Sequence, residues 1–270
     1  IEVIYNNDLN DNNNFIKELE IIKLALSTLE QLNINDIKVR IGSISFFNLF
    51  IDCLDLPQRW KQRLLRHLYR RHYFEKLLTR IRKGVGYDEE RKLVIQRDVF
   101  SDETIFNQEI NDILAREDPI KLGSRTIDEI SNRFNLKSES VVSAIQGSKI
   151  ADLVIGFLTL TGDLKSFPTK VDEFIRANNV SLFDEGLKTI DHLSSTFVKN
   201  FSNIEFIFDC DFGHSIEFYD GIIFEIIDQK NNILISGGRY DKLLTSLGDK
   251  NNFAAIGFAT NNNQILETLA

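Results

Sequence analysis

A chain of 270 residues can form one large domain or two modest ones, and its 43% apolar and 27% charged residues are typical of an ordinary globular protein. No stretch reaches the roughly 18 uninterrupted apolar residues of a membrane-spanning helix, and no signal peptide opens the sequence, so we expect a cytoplasmic protein. The net charge of -8 argues against a general nucleic-acid coat, which would be basic. Cys53 and Cys210 lie far apart in apolar runs, and we expect two reduced, buried thiols.

The amino-terminal part of the chain predicts a loop, a helix, a strand and then a long helical block. Residues 1–14 are rich in Asn and Asp, which predicts a loop that ends in a helix cap. Apolar residues recur at helical spacing from Phe15 to Leu29, which predicts a helix. From Ile37 to Ile41 they alternate with basic residues, which indicates a half-buried strand. Residues 46–198 are mainly helical in pattern.

The carboxy-terminal part changes to the alternation typical of strands. Strands are predicted at Ile204–Cys210, Ile216–Asp228, Ile233–Ser236 and Ala254–Thr260. Gly237 and Gly238 are expected to end the third of these strands before a short helix. A helical block followed by an antiparallel meander favours an α+β fold over a doubly wound one.

The segment from Ser236 to Asp241 is the most informative motif. Gly237 and Gly238 follow a strand and would let the backbone approach a ligand closely, because neither carries a Cβ. The helix that follows would offer N–H groups to a carboxylate or a phosphate. For an isolated pair of glycines, an ordinary strand-to-helix turn is the simpler interpretation.

Two neighbouring motifs change that interpretation. One runs from Asp211 to Glu225, and the other from Ala255 to Ala259. With the Ser236–Asp241 segment between them, they resemble the C-terminal half of the histidyl-tRNA synthetase core. That family has an Arg-Gly-Leu-Asp-Tyr-Tyr-Thr-Gly stretch, a Phe-Glu strand end, a Gly-Gly-Arg-Tyr-Asp turn and a Gly-Phe strand in the same order.

A second resemblance lies earlier in the chain. The stretches Ile41–Phe47 and Leu54–His67 resemble the ATP phosphoribosyltransferase regulatory subunit, a synthetase paralogue of histidine biosynthesis. Together, the resemblances imply a class II aminoacyl-tRNA synthetase-like core with an antiparallel sheet flanked by helices. We place this core in residues 1–45 and 199–270, with a mainly helical insertion at 46–198. No counterpart of the family's first third is visible.

Two arginines of the synthetase have no counterpart in this sequence. His214 stands where one arginine assists adenylate formation, and Thr260–Gln264 contains no arginine where another grips ATP. Amino-acid activation develops charge at a phosphorus centre and depends on placed cations. We therefore expect a pocket that binds without catalysing, no catalytic residues, no cofactor and no anticodon-binding domain after the core.

The resemblance implies a non-catalytic regulatory subunit that assembles with the short-form catalytic ATP phosphoribosyltransferase and also self-associates. Such a subunit is required for the first step of histidine biosynthesis and for feedback regulation by histidine. The tyrosine that matches Tyr219 contacts the histidine in the synthetase. The candidate histidine-binding residues are Glu217, Tyr219, Gly237, Gly238, Arg239 and Tyr240. A divergent or truncated histidyl-tRNA synthetase is the alternative.

A basic stretch extends from Arg59 to Lys83, with aromatic residues among the cations. The simplest interpretation is a solvated helix face whose aliphatic stems cover apolar surface. A docking surface for an acidic protein comes second, and an RNA-binding surface third because of the net charge. The four histidines are not spaced as metal ligands, so no metal site is expected.

Overall fold

The computed structural model describes residues 1–6, 11–84, 142–213, 218–248 and 253–269. The strands are β1 (Glu2–Asn6), β2 (Ile37–Ser43), β3 (Thr161–Asp163), β4 (Glu205–Asp209), β5 (Ile222–Asp228), β6 (Ile233–Arg239) and β7 (Phe253–Thr260). The helices are α1 (Asp11–Gln31), α2 (Ile44–Cys53), α3 (Gln58–His67), α4 (Arg71–Arg82), α5 (Ala144–Leu158), α6 (Phe167–Ala177), α7 (Asp184–Asn200), α8 (Asp241–Ser246) and α9 (Asn262–Leu269).

The strands form one seven-stranded sheet in the order β1-β7-β6-β5-β2-β4-β3. All neighbours pair antiparallel except β2 and β4, which run parallel. A parallel pair needs a long crossover, and here that crossover contains the helical block between β2 and β4. The predicted α+β class, with a mainly antiparallel sheet flanked by helices, is confirmed.

The two faces of the sheet differ in character. On one face, which we call the helix-covered face, Val39 and Ile41 of β2 are fully buried, and α1 and α2 pack against β7 and β5. The opposite face, the polar face, carries ion pairs between β2 and β4. Lys38 Nζ lies 2.9 Å from a Glu205 carboxylate oxygen, and Arg40 Nη2 lies 2.6 Å from one of Asp209. Alternation along β2 places its apolar and basic residues on these two faces.

Contacts divide the chain into two compact units. The first consists of Ile1–Leu54, Leu68–Arg70 and Leu153–Ala270 and contains the sheet, and the second consists of Asp55–His67 and Arg71–Asp152. Part of the segment 46–198, which we predict as a helical insertion, lies in the first unit. The reason is an aromatic core in which the Phe50 and Phe157 rings stack at 3.9 Å. The core and insertion boundaries that we give above stay a prediction.

The first strand differs from the sequence prediction. Residues 1–14 predict a loop, but Glu2–Asn6 form an edge strand that pairs antiparallel with β7, from Glu2 opposite Gly257 to Asn6 opposite Phe253. The backbone bonds to β7 outweigh the turn-prone composition of this segment, because strand formation depends strongly on tertiary context.

The third of the predicted strands is also longer than expected. Instead of ending at Gly237, β6 continues to Arg239, and both glycines pair with β5 and β7. A Cβ at Gly237 would overlap the Gly257 carbonyl oxygen and the Phe224 ring. The glycines therefore permit close approach between strands, and the chain turns only after Arg239.

Several smaller expectations concern thiols, metals and membranes. Cys53 and Cys210 are not joined in a disulfide. Cys210 is buried as expected, whereas Cys53 is partly exposed and its thiol donates to the Leu182 carbonyl oxygen. Across the described ranges, no group of three or more His, Cys, Asp and Glu side chains could hold a metal ion. None of the helices in those ranges is long and apolar enough to cross a membrane.

Candidate ligand site

The Ser236–Asp241 motif distributes its side chains between the two faces of the sheet. Ser236 and Gly238 face the polar side, while Gly237 and Arg239 face the helix-covered side, because successive strand residues point in opposite directions. Tyr240 follows the strand and precedes α8. The motif thus contributes to two different environments, which we describe in turn.

The first environment is a cavity of about 840 Å³ whose lining contains four aromatic residues. We call it the aromatic cavity, and its lining includes Glu2, Phe218, Tyr219, Ser236, Tyr240 and Phe258. The Phe218 ring lies 4.5 Å from the Tyr219 ring and 5.8 Å from the Tyr240 ring, nearly perpendicular to the latter. The two tyrosine rings are 6.2 Å apart. These distances are those of interacting aromatic pairs.

The hydroxyl of Tyr240 is the unusual group in this cavity. The residue is 8% exposed. Burial and a hydrogen bond to the carboxylate of Glu2, an exposed residue, raise its pKa to about 12. Burial also raises the pKa of Tyr219. Both phenols are therefore protonated at neutral pH, and each can exchange hydrogen bonds with a ligand.

Gly238 determines where the Tyr219 ring can lie. A Cβ at this position would lie 2.8 Å from two Tyr219 ring carbons and 2.8 Å from the Ile222 carbonyl oxygen. The ring therefore occupies the space that a side chain would need. Neither Gly237 nor Gly238 lines this cavity or the second one described below, so their role as direct ligand contacts stays a prediction.

The second environment, on the helix-covered face, is a buried ion network around Arg239. The side chain is 7% exposed; its Nε donates to Asp241 at 2.6 Å, and its Nη1 donates to Glu18 of α1 at 3.5 Å. Burial raises the pKa of Glu18 to about 7, although the Arg239 charge opposes the shift. Burial opposes the charge of Arg239 as well, but the two carboxylates raise its pKa.

The amino terminus of α8 is occupied by the protein itself. The Asp220 carboxylate accepts the backbone N–H groups of Asp241 at 3.0 Å and of Lys242 at 2.9 Å. These are the N–H groups that the sequence suggested for a ligand carboxylate or phosphate. They are taken because Asp220, which lies in the turn before β5, caps the helix.

A second cavity, of about 1030 Å³, lies beside the ion network. Glu18, Asp220, Arg239 and Asp241 form part of its lining. At another point of the wall, Phe15 and His192 meet edge to face with ring centroids 4.6 Å apart. Both acidic and basic groups line this cavity, whereas aromatic residues line the first one.

The six candidate residues are thus only partly brought together. Tyr219 and Tyr240 share the aromatic cavity, whereas Arg239 lies in the ion network on the other face. Glu217 lies outside the described residues, as does His214. The whole set stays a prediction, and its best-placed members are the two tyrosines.

Cations on the polar face are neutralised by carboxylates. Arg40 pairs with Asp209, and its guanidinium lies 4.6 Å from the centre of the Phe212 ring.

At the end of β7, where the synthetase has its second arginine, Asn261 accepts the N–H of Gln264 and caps α9. The segment Thr260–Gln264 therefore serves as a strand end and a helix cap.

Sequence reasoning missed several groups around these two environments. Glu2 was hidden in the segment predicted as a loop, although Val3, Ile4 and Tyr5, which follow it, are residue types that are enriched in strands. Glu18 is an acidic residue on helix α1. It pairs with Arg239, which lies 221 residues further along the chain. No local pattern in the sequence could indicate this pairing.

Comparison with known proteins agrees with this architecture. A model of the histidyl-tRNA synthetase family matches residues 104–265, which is more than half of the chain. The chain belongs to this family. Two solved structures share its fold with TM-scores of 0.53, a regulatory subunit/histidyl-tRNA synthetase from Bacillus halodurans at 16% identity and histidyl-tRNA synthetase from Nostoc sp. PCC 7120 at 14%. They cover 100% and 99% of this chain, and 52% and 49% of their own.

Curated relatives of this family member include proteins of histidine biosynthesis. The chain is 25% identical over 230 residues to the ATP phosphoribosyltransferase regulatory subunit of Sinorhizobium fredii and 27% identical over 231 residues to that of Rhizobium meliloti. Each match covers 83% of this chain and 60% of the relative. The chain thus spans about 60% of the length of these relatives, and both predicted resemblances are confirmed.

Proposed function

We propose that this chain is the ligand-binding portion of a non-catalytic regulatory subunit of ATP phosphoribosyltransferase, acting in the cytoplasm. The names of the curated relatives support the assignment to this complex. The observation that carries the site is the presence of two protonated phenol groups, those of Tyr219 and Tyr240, at the wall of one cavity. Such a cavity suits a small polar ligand with an aromatic part.

Histidine fits the chemistry of this cavity. Its imidazole ring would pack among the rings of Phe218, Tyr219 and Tyr240, and its ring nitrogens would exchange hydrogen bonds with the phenol groups. Glu2, at the same wall, would attract the ammonium group. In this proposal the cavity recognises the imidazole ring by shape and hydrogen bonding, and the ammonium group by the charge of Glu2.

A regulatory role is favoured over catalysis by the state of the cations. Activation of an amino acid needs positive charge at the developing phosphorus centre. Lys38 and Arg40, the basic residues that β2 presents on the polar face, are each paired with a carboxylate of β4. Arg239 is enclosed by Glu18 and Asp241 on the other face. These cations stabilise the protein itself.

The proposed regulation is a linkage between ligand and assembly. The subunit would associate with the short-form catalytic ATP phosphoribosyltransferase and with further copies of itself. Histidine that binds the inhibited arrangement of this complex more tightly than the active one shifts the population toward inhibition by that difference in affinity. The same linkage requires that the catalytic partner change the affinity for histidine.

Isothermal titration calorimetry of the full-length protein with histidine, alone and with the catalytic partner, tests this proposal. Tyr219→Ala should weaken binding about ten-fold or more, because a stacking ring and a hydroxyl are lost together. Tyr73→Ala removes a 40% exposed tyrosine from the other compact unit and is the matched control. Histidine binding that is unaffected by Tyr219→Ala would reject the site.

The alternative, a divergent histidyl-tRNA synthetase, is favoured by the family match itself. A synthetase releases pyrophosphate when ATP activates histidine, so histidine-dependent exchange of labelled pyrophosphate into ATP distinguishes the two functions. We expect no exchange above background. Exchange by the purified full-length protein would establish the synthetase instead.

A further inference from the structure

The helices α3 and α4 concentrate positive charge within an acidic chain. The stretch from Arg59 to Lys83 contains ten basic residues and a single acidic one, Glu75, whereas the whole chain carries a net charge of -8. The apolar side chains of the two helices are buried, including Trp60 and Leu64 of α3 and four residues of α4. The cations are therefore left on the outer surface of this helix pair.

Several of these cations have no ion-pair partner among the described residues. Arg66, Lys76, Arg80 and Lys83 are exposed, and in the part of the chain that the structure describes they have no carboxylate within ion-pair distance. Other cations of the stretch do find partners, such as Arg71, which pairs with Glu75 at 3.2 Å. A cluster of uncompensated like charges disfavours the folded state, and an acidic partner would relieve this repulsion.

The indole of Trp60 orders part of this surface. The guanidinium carbons of Arg63 and Arg80 lie 4.8 Å and 5.8 Å from the ring centroid, and Arg63 Nη2 donates to the Tyr73 hydroxyl at 3.2 Å. Stacking engages the flat face of a guanidinium and leaves N–H groups at its edge for a carboxylate. Two arginines are thus held in place before a partner arrives, which lowers the entropic cost of binding.

We propose that this surface binds an acidic segment of a partner protein. The surface consists of Arg63, Arg66, Lys76, Arg80 and Lys83, and we call it the basic face. Nucleic acid is the less suitable polyanion, because single-stranded binders stack bases on several accessible aromatic rings, whereas Trp60 is only 3% exposed beneath the arginines and the Tyr73 hydroxyl already accepts from Arg63. The net charge of the chain also repels an extended polyanion beyond the basic face. This binding activity goes beyond the proposed histidine site.

Fluorescence anisotropy with a labelled 15-residue polyglutamate peptide tests the proposal on the full-length protein. The test variant is Arg66→Glu/Lys76→Glu/Lys83→Glu, which reverses three exposed charges. The matched control is Lys23→Glu/Lys165→Glu/Lys199→Glu, which makes the same charge change at three exposed lysines of the other compact unit. Circular dichroism and thermal melting verify that both variants are folded.

We expect the peptide to bind the natural protein at 150 mM NaCl, and the basic-face variant to bind about ten-fold or more weakly than the control. Equal weakening by the two variants would mean that only net charge matters, and would overturn the proposal. The proposal would also be overturned if the natural protein did not bind the peptide. A 15-nucleotide oligothymidine that bound the natural protein more tightly than the peptide does would overturn it as well. None of these results depends on the catalytic partner or on histidine.

Discussion

On one face of β6, Tyr219 and Tyr240 line an aromatic cavity with their protonated phenol groups. On the other face, one residue away, Arg239 is enclosed by Glu18 and Asp241. The first face offers polar groups to a cavity, and the second satisfies a buried charge with two others. Side chains that are adjacent in sequence can therefore have opposite roles, one for a ligand and one for the fold, because a strand directs neighbours to opposite faces.

Removal of Arg239 should give the largest effect and should act on stability. In Arg239→Met, the Glu18 and Asp241 carboxylates remain buried or partly buried without their cation, which costs about 3–5 kcal/mol of unfolding free energy. Urea denaturation followed by circular dichroism measures this loss. Arg176→Met is the control, because Arg176 is 78% exposed in its pair with Asp172, and such pairs contribute at most about 1 kcal/mol. Equal losses in both variants would contradict the assigned role.

Glu18 should make stability fall as the pH rises. Its pKa is about 7 in the folded protein against an ordinary value of 4.5, so the folded chain holds a proton that the unfolded chain has released. The contribution of this group is therefore complete below about pH 4.5 and is lost as the pH rises through 7, by roughly 3 kcal/mol. Urea denaturation at pH 5, 6, 7 and 8 should show this decline in the natural protein and a smaller one in Glu18→Gln. If the stability of the two proteins falls equally with pH, Glu18 is not the group responsible for the decline.

Gly238→Ala should lower both the stability of the protein and its affinity for histidine, with an effect of intermediate size. The new methyl group would displace the Tyr219 ring and crowd the Ile222 carbonyl oxygen, which costs about 1–3 kcal/mol and weakens histidine binding. Gly162→Ala is the matched control, because the nearest atoms to a Cβ there are 3.9 Å away. If the two variants unfold at the same urea concentration and bind histidine equally, Gly238 does not position the ring.

Tyr240→Phe should have the smallest effect on stability. The hydroxyl that it removes bonds to the carboxylate of Glu2, which is exposed and can be solvated instead, so the unfolding free energy should fall by no more than about 1 kcal/mol. Calorimetry should nevertheless show histidine binding weakened about ten-fold, because the ligand loses a hydrogen bond. A loss of stability above about 1 kcal/mol, with unchanged binding, would place the hydroxyl among the groups that hold the fold.

Much of the fold could be predicted because its signals are local. The helix that contains Phe15–Leu29, the strand at Ile37–Ile41 and the meander after Ile204 each have a clear apolar period. The errors lie where pairing overrides composition. The edge strand Glu2–Asn6 and the continuation of β6 through Gly237 and Gly238 both depend on β7, which lies far along the chain from β1.

The candidate site was predictable only to the level of its motif. The order of the motifs indicated the region around Tyr219 and Tyr240, and these two residues do share a cavity. Nothing in the local sequence separates Arg239 from Tyr240, although the structure places them in different environments. The cap on α8 by Asp220 was equally invisible, because it joins residues that are 21 positions apart.

The sequence by itself determined the family, the α+β class and the region of the candidate site, because these depend on periodicity and on the order of short motifs. Only the tertiary structure decided which residues of the Gly-Gly-Arg-Tyr-Asp turn face a cavity and which neutralise a buried charge. The physical reason is that burial, ion pairing and the pKa of Glu18 arise from groups brought together by the sheet, and their energies depend on distances that the order of residues does not contain.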